Sequence, residues 1–189
     1  MTKNRLLNIA VNLCRLIKVI HIFLFIALTA FLIHFQLDKD FYSKGEFNFN
    51  AQTNAFNAFT KWKKIDVGED KEVYSLEKIT TSSLYLNYFK YVAVLLVIFL
   101  LIKEFQKVMQ SVKHLNTFRE DNIKSFRKIG KYLFIFFLLT CYFAVRFQDG
   151  GISGFSISFT PLILMLLAFV FAEIFKEGNF LMEENELTI

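Results

Sequence analysis

The chain has 189 residues, 54% of them hydrophobic, and a formal net charge of +5 at pH 7. The hydrophobic share exceeds the usual range of soluble domains. It is concentrated in four runs, which argues against a soluble helix bundle. The positive charge flanks these runs, where anionic lipid headgroups attract Lys and Arg, so it does not indicate direct nucleic-acid binding.

The four apolar runs predict four membrane-spanning helices. A hydrocarbon core about 30 Å thick requires about 20 helical residues, and lipid offers no partner to an unpaired backbone group. The centres of the runs lack the polar stripe that a helix of a soluble bundle keeps. The sequence therefore predicts an all-α integral membrane protein, a single domain over residues 1–189, with helices at about 18–37, 85–115, 118–147 and 157–181.

The first run is interpreted as a retained helix and not as a cleaved signal peptide. A long segment precedes it, and the run is longer than a typical signal core. No small-x-small cleavage pattern follows it. We therefore expect this helix to remain part of the protein.

The Lys and Arg residues predict the orientation, because cytoplasmic loops of membrane proteins are enriched in them. Basic residues precede the first helix and fill residues 103–131, between the second and third helices. Residues 38–84 mix both signs, and the short link 148–156 has no Lys or Arg. Both termini and residues 103–131 are therefore expected in the cytoplasm, and residues 38–84 outside or in the periplasm.

Residues 38–84 are too long for a plain link and predict a small external cap with short β-strands. Alternating apolar and polar residues at 47–51 and 71–79 indicate two strands, with a turn-like charged stretch at 67–70 between them. Residues 55–62 fit either a short helix or a third strand. We favour a packed lid over a ligand sensor as the role of this cap.

Residues 103–131 predict a cytoplasmic helical hairpin. Thr117 and Glu120 have the spacing of a capping box, so a new helix is expected near Phe118. The two apolar ridges are expected to pack on each other, and a partner-binding ridge is the alternative. On the first ridge, apolar residues recur at helical spacing: Ile102, Phe105, Met109, Val112 and Leu115.

The last helix carries Thr160-Pro161 near its outer start, where proline suits a first helical turn. Its far end, residues 176–189, is acidic, unlike the other segments assigned to the cytoplasm. The acidic residues, Glu183 and Glu184 among them, lead to the hypothesis that this end lies against the basic hairpin.

The sequence contains no pattern of a catalytic or metal centre. It lacks a Ser/His/Asp set, an HExxH motif, a phosphate-binding glycine loop and Cys-rich metal spacing. Cys14 and Cys141 both fall outside the external loop, so no disulfide is expected. We therefore predict no enzyme activity, no cofactor and no metal.

His21 and Glu173 are the ionisable residues that deserve a functional hypothesis, because such groups are costly inside a membrane. Each lies near the inner end of its helix, and the two helices run in opposite directions, so the side chains are predicted to reach the same depth. One interpretation is a proton- or ion-sensitive pair. The favoured interpretation is a structural hydrogen bond or two side chains that extend to the headgroups.

Two segments carry recognisable residue patterns. One is Phe-x-x-x-Asn followed by Arg-x-Ile-Gly, and the other is Glu-Ile-Phe-x-x-Gly followed by Leu-x-Glu-Glu-x-x-Leu-Thr-Ile. Together they resemble a bacterial family of four-helix membrane proteins, domain of unknown function 2975. The matching residues are Phe118, Asn122, Arg127, Ile129 and Gly130 in the first segment, and Glu173-Ile174-Phe175, Gly178, Leu181, Glu183, Glu184 and Leu187-Thr188-Ile189 in the second.

The resemblance implies a multi-pass protein of the bacterial cytoplasmic (inner) membrane without enzyme activity. Family genes commonly adjoin a gene for a small helix-turn-helix regulator, which implies a membrane partner that restrains a transcription regulator. We therefore predict a non-enzymatic regulatory protein, surrounded by lipid, whose inner face binds such a regulator. The alternative is a transporter or channel subunit that uses His21 and Glu173. The candidate partner-binding residues are Phe118, Asn122, Arg127, Glu183 and Glu184.

Overall fold

The computed structural model describes residues 2–42, 57–64, 73–114 and 117–187. The structure is mostly helical with a small sheet. The helices are α1 (Thr2–Leu37), α2 (Thr81–Lys113), α3 (Glu120–Thr140) and α4 (Phe159–Leu187), and the strands are β1 (Asn57–Lys63), β2 (Tyr142–Arg146) and β3 (Gly150–Ser156). Short 3-10 helices lie at Asp40–Tyr42 and Leu76–Lys78.

Three of the described helices are long and apolar enough to cross a membrane: Arg5–Leu37, Thr81–Lys113 and Phe159–Glu184. Each of the three is far longer than the roughly 20 residues that a hydrocarbon core requires. The third predicted helix is not among them. The part of α3 that follows its last Lys, from Tyr132 to Thr140, is too short to cross a bilayer as a helix.

The chain forms two compact units. The hairpin unit comprises Met1–Phe23, Leu95–Phe137 and Phe159–Ile189, and the sheet unit comprises Leu24–Val94 and Leu138–Ser158. The core of the hairpin unit joins three helices, with Val108 from α2 and Ala168 and Ala172 from α4 packed against a stripe of α3. That stripe recurs at helical spacing: Ile123, Phe126, Ile129 and Leu133.

Part of the predicted hairpin ridge is confirmed. Met109 and Val112 pack against the core of the hairpin unit, whereas Phe105 is 40% exposed. Residues 115–116 lie outside the described residues. Helix α3 begins at Glu120 and not near Phe118, and the carbonyl of Arg119 accepts the amides of Asn122 and Ile123. The predicted capping box at Thr117 is therefore wrong, because Thr117 lies in the turn before the helix.

The sheet unit contains a three-stranded antiparallel sheet in the order β1-β3-β2. One of its faces packs onto a small core formed by Val73, Tyr74, Phe147 and Ile152. The strand β3 is rich in glycine because large side chains from both neighbours cross it. At Gly154, for example, the rings of Phe59 and Phe143 lie where a Cβ atom would stand.

The helix predicted over 118–147 is wrong in its last part, and the link 148–156 is not a plain loop. The chain leaves the helix at Thr140 and forms the hairpin of β2 and β3, closed by the bond from the Phe147 amide to the Gly150 carbonyl. An apolar run of this composition fits a helix or a buried strand equally well. Asp149-Gly150 is a turn signal that favours the hairpin.

Part of the predicted cap lies among the described residues. Residues 57–63 form a strand, which decides between the two alternatives for the described part of 55–62. The predicted strand at 47–51 and the turn at 67–70 lie outside the described residues. The strand predicted at 71–79 is wrong over its described part, which contains the 3-10 helix Leu76–Lys78 and an isolated bridge from Ile79 to Phe147.

Candidate interface of the hairpin and the last helix

Phe118 brings the two recognisable segments together. Its ring centroid lies 5.5 Å from that of Phe175. The same ring lies directly on the backbone of Gly178, so that any side chain at this position would collide with it. Glycine at 178 is therefore required by the close approach of an aromatic ring, and the Phe118 side chain is used within the hairpin unit.

A second glycine repeats this arrangement from the opposite direction. A Cβ atom at Gly130 on α3 would lie 2.8 Å from the Cζ atom of Phe169 on α4. The neighbouring Ile129 is buried in the core beside Ala172. Each recognisable glycine therefore receives an aromatic ring, Gly178 from Phe118 and Gly130 from Phe169 of α4, which is a packing role.

Arg127 and Glu173 link the same two helices by charge. The Arg127 Nη2 atom lies 3.0 Å from Glu173 Oε1, and Lys176 Nζ lies 3.6 Å from Glu173 Oε2. The Arg127 and Glu173 side chains are 49% and 59% exposed, so solvent screens this pair and it contributes little to stability. Glu173 precedes the acidic end, residues 176–189, so the docking of that end on the basic hairpin stays a prediction.

Asn122 closes the turn between α2 and α3. Its side chain is 2% exposed, and its Nδ2 atom donates to the Ser111 hydroxyl at 2.9 Å and to the Thr117 carbonyl at 2.6 Å. An amide in this position satisfies a turn carbonyl that lacks a helical partner. Asn122 therefore fixes the hairpin turn from within.

Glu104 is a buried charge of the hairpin and was not among the predicted site residues. Glu104 is 6% exposed, and its carboxylate accepts from Lys107 Nζ at 2.7 Å and from the Ser125 hydroxyl at 2.9 Å. The signal was available, because Glu104 falls at helical spacing between the buried Val97 and Val108. A carboxylate in such a stripe requires a partner, and Ser125 on the facing helix provides it.

His21 and Glu173 are not brought together. The Nδ1 atom of His21 lies 2.8 Å from the carbonyl of Ile17 on the same helix. Glu173 pairs with Arg127 and Lys176. Within the part of the chain that the structure describes, no hydrogen bond or ion pair joins His21 to Glu173.

The end of α4 presents an apolar surface edged by acidic residues. Phe180, Leu181 and Met182 are 54%, 57% and 49% exposed. Glu183 and Glu184 are also exposed, and Glu183 accepts a hydrogen bond from Asn179 at 2.6 Å. An open apolar groove runs beside this end, between Phe118 and the α4 residues Val170, Ile174, Glu177 and Leu181.

A polar depression lies on the other side of the hairpin, between α2 and α3. Lys107, Arg119, Lys124 and Lys128 line it together with Glu104 and Asp121. Lys124 is bonded to Glu120 at 2.9 Å, and this hydrogen bond raises the pKa of Lys124 above its ordinary value. Among the described residues, no cluster of His, Cys, Asp or Glu has the arrangement of a metal site.

The comparisons with known proteins identify one family. A family model described as "Protein of unknown function (DUF2975)" matches residues 68–189, more than half of the chain. The match contains both recognisable segments, and it begins within the predicted external loop, residues 38–84. No curated protein and no solved structure matches the chain.

Proposed function

This chain belongs to the family of domain of unknown function 2975, and from that premise we propose that it is a non-enzymatic regulatory protein of the bacterial inner membrane. It acts by binding a small cytoplasmic helix-turn-helix regulator and thereby holding that regulator at the membrane. The binding surface is the exposed end of α4 with the adjoining hairpin.

The observation that carries the proposal is the exposed apolar surface at the end of α4. This helix has 29 residues and is about 43 Å long at about 1.5 Å per residue, whereas the hydrocarbon core takes about 30 Å. About nine residues therefore extend beyond the lipid. Phe180, Leu181 and Met182 fall in this extension, and a cluster of exposed apolar residues in water indicates an interaction site.

The acidic edge of this surface supports a basic partner. Glu177, Glu183 and Glu184 flank the apolar residues, and the surface of a DNA-binding regulator is basic where it contacts phosphates. In this proposal Phe118, Asn122 and Arg127 act indirectly. Their side chains hold the hairpin unit together instead of contacting the partner. Complementary charge accelerates association and selects the partner more than it adds affinity.

We also propose a four-crossing topology with both termini in the cytoplasm. The third crossing consists of the apolar part of α3, Tyr132–Thr140, followed by β2 and Phe147. Nine helical residues reach about 13 Å, and six extended residues reach about 20 Å. Strand backbone is tolerated at membrane depth only when protein satisfies it, and side chains of α2 do so for β2.

Co-purification tests the proposal. The full chain, tagged and extracted from membranes of its own host, is expected to retain a small helix-turn-helix regulator. Replacing Phe180 and Leu181 together by Ala is expected to lower the recovery about tenfold or more, because exposed aromatic and apolar anchors dominate binding energy.

The matched control replaces Ile163 and Leu166 by Ala. These residues lie on the same helix with 57% and 60% exposure, but within the apolar part that lipid surrounds. Equal recovery from both double variants would contradict the proposed surface. Absence of any regulator in the preparation, together with unchanged regulator activity in a deletion strain, would overturn the proposed function itself.

The transporter alternative gains no support from these contacts. It required His21 and Glu173 to act as a pair, and each of them bonds elsewhere.

A further inference from the structure

One face of the sheet packs on the core of the sheet unit, and the opposite face forms a shallow trough. The strand register places Trp62, Gly151 and Arg146 in one row across β1, β3 and β2, and Thr60, Ser153 and Ala144 in the next row. Directly opposed residues of antiparallel strands share a face. The core residue Ile152 alternates with Gly151 and Ser153, so these two rows belong to the opposite face.

The floor of the trough is low because its central residues are small. Gly151 has no side chain, and a Cβ atom there would lie 2.7 Å from the indole Nε1 atom of Trp62. The indole ring therefore crosses the glycine towards β2 while remaining 50% exposed. The outcome is an aromatic plate at one side of a cavity of about 260 Å³, with Arg146 and Ser153 in its lining.

The lining is rich in hydrogen-bond donors that lack acceptors. The Arg146 guanidinium and the Trp62 indole N–H are donors only, and the Ser153 and Tyr142 hydroxyls can also donate. Across the described residues, none of these four side-chain groups has a hydrogen bond or an ion pair. The neighbouring carbonyl of Arg146 is already occupied, by the amide and the hydroxyl of Thr80.

We propose that this trough is a binding site for a small ligand that joins an oxyanion to a flat or apolar ring. The oxyanion, a carboxylate or a phosphate, accepts from Arg146 and Ser153, and Arg is the residue best suited to either group. The ring packs on the exposed indole of Trp62. A cavity of about 150 Å³ accommodates benzene, so the trough has room for one ring with its charged group.

This inference does not rest on the proposed regulator binding, because it concerns a separate unit and different residues. It changes the interpretation of the cap, which was favoured as a packed lid. Packing belongs to the other sheet face, where Val73, Tyr74, Phe147 and Ile152 are buried. The trough face carries exposed side-chain hydrogen-bond donors, and a lid that served only for packing would not need them.

Tryptophan fluorescence tests the site directly, because Trp62 is the sole tryptophan of the chain. The purified full chain in lipid nanodiscs is titrated with benzoate, glucuronate and phenyl phosphate, each at constant ionic strength. Benzyl alcohol and glucose serve as uncharged counterparts. A saturable change in Trp62 emission is expected with at least one anionic probe and with neither uncharged probe. A preference for phenyl phosphate over the two carboxylates identifies a phosphate-bearing ligand, and the reverse identifies a carboxylate.

Two variants and a control assign the effect to the trough. Arg146→Gln is expected to weaken the binding of the anionic probe about tenfold or more, since hydrogen bonds to charged groups are the strong ones. Ser153→Ala is expected to weaken it less. Lys61→Gln removes a cation from the neighbouring residue of β1, which lies over the Tyr74 ring at 5.6 Å on the core face, and should leave binding unchanged.

The melting temperature of each variant shows that it is folded. The proposal is overturned if no anionic probe gives a saturable change, or if the uncharged probes give the same change. It is also overturned if folded Arg146→Gln binds the anionic probe as tightly as the unaltered chain. In that case Trp62 and Arg146 serve as anchors at the membrane–water boundary.

Discussion

At the scale of single residues, two glycines determine how closely α4 approaches the hairpin. Gly130 receives the ring of Phe169 from α4, and Gly178 on α4 receives the ring of Phe118. Glycine is normally unfavourable within a helix because it leaves the unfolded chain more freedom. Its presence here is explained by the space that the rings occupy. The sign of the change in stability on Gly→Ala substitution therefore distinguishes a packing role from simple helix propensity.

Gly178→Ala is therefore expected to destabilise the protein by about 1–3 kcal/mol, because the added methyl group displaces the Phe118 ring. Without that contact, alanine would stabilise the helix by about 0.5–1 kcal/mol. The measurement is the thermal unfolding midpoint in detergent. In a Phe118→Ala background the same change should lose most of its effect, since contacting residues are not additive. An equal or higher midpoint for Gly178→Ala alone would contradict the packing role.

Glu104 supports a second prediction at this scale. Glu104→Ala is expected to destabilise the hairpin by about 1–3 kcal/mol, because it leaves the buried Ser125 hydroxyl without its acceptor. Glu104→Gln keeps an acceptor oxygen and should cost less. The matched control is Glu120→Ala, which removes an exposed, solvent-screened pair with Lys124 and should leave the unfolding midpoint nearly unchanged. Equal midpoints for Glu104→Ala and Glu120→Ala would contradict this account.

At the scale of elements, β2 is held by a polar stripe on α2. Asn87 donates to the Ala144 carbonyl at 2.8 Å, the Ser83 hydroxyl accepts the Arg146 amide at 2.9 Å, and Lys90 donates to the Tyr142 carbonyl. The three polar residues are spaced by four and three, so they lie on one side of the helix. They satisfy backbone groups that an edge strand leaves open.

Asn87→Leu is expected to release this strand while leaving α2 intact. The leucine has a similar size but cannot donate, so the Ala144 carbonyl loses its partner. Hydrogen exchange of the peptide covering 142–147 should accelerate about tenfold, which corresponds to about 1.4 kcal/mol. Leu86→Ala, at a neighbouring residue with 71% exposure, is the control. Unchanged exchange in Asn87→Leu would show that the stripe does not hold β2.

These elements also show where sequence patterns suffice and where they fail. The long runs of α1, α2 and α4 are predictable because an apolar stretch of that length has one stable form in lipid. The helix prediction fails for the run that ends at Phe147, because the second half of that run is a strand stabilised by Ser83, Asn87 and Lys90 from a distant segment. Periodicity within 132–147 contains no information about those partners.

The same limit applies to the candidate site. Phe118 and Asn122 are recognisable in the sequence, but their use depends on what faces them. The structure places Gly178 and Phe175 against Phe118, and Ser111 and Thr117 against Asn122. A pattern of residue types predicts that a position is constrained. The side-chain contacts in the structure are needed to tell whether the residue type is required by packing within the fold or by binding to a partner.

At the scale of the whole molecule, the topology depends on whether the chain crosses the membrane a third time between residues 131 and 148. Three crossings would place the two termini on opposite sides of the membrane, whereas four place them on the same side. The basic segment 103–131 precedes this proposed third crossing, and the link between β2 and β3 follows it. Single cysteines on either side of that crossing therefore separate the two topologies.

In a background with Cys14 and Cys141 replaced by Ser, we expect Lys39→Cys and Gln148→Cys to react with an impermeant maleimide on intact spheroplasts. Lys128→Cys and Glu183→Cys should react only after lysis, because the basic hairpin and the acidic end are expected in the cytoplasm. All four positions are exposed in their units, so a lack of reaction reports the membrane and not burial. If Lys128→Cys and Gln148→Cys react from the same side, β2 does not complete a crossing. That result would also contradict the packing of Phe118 on Gly178, because it would place the end of α4 on the opposite side of the membrane from the hairpin.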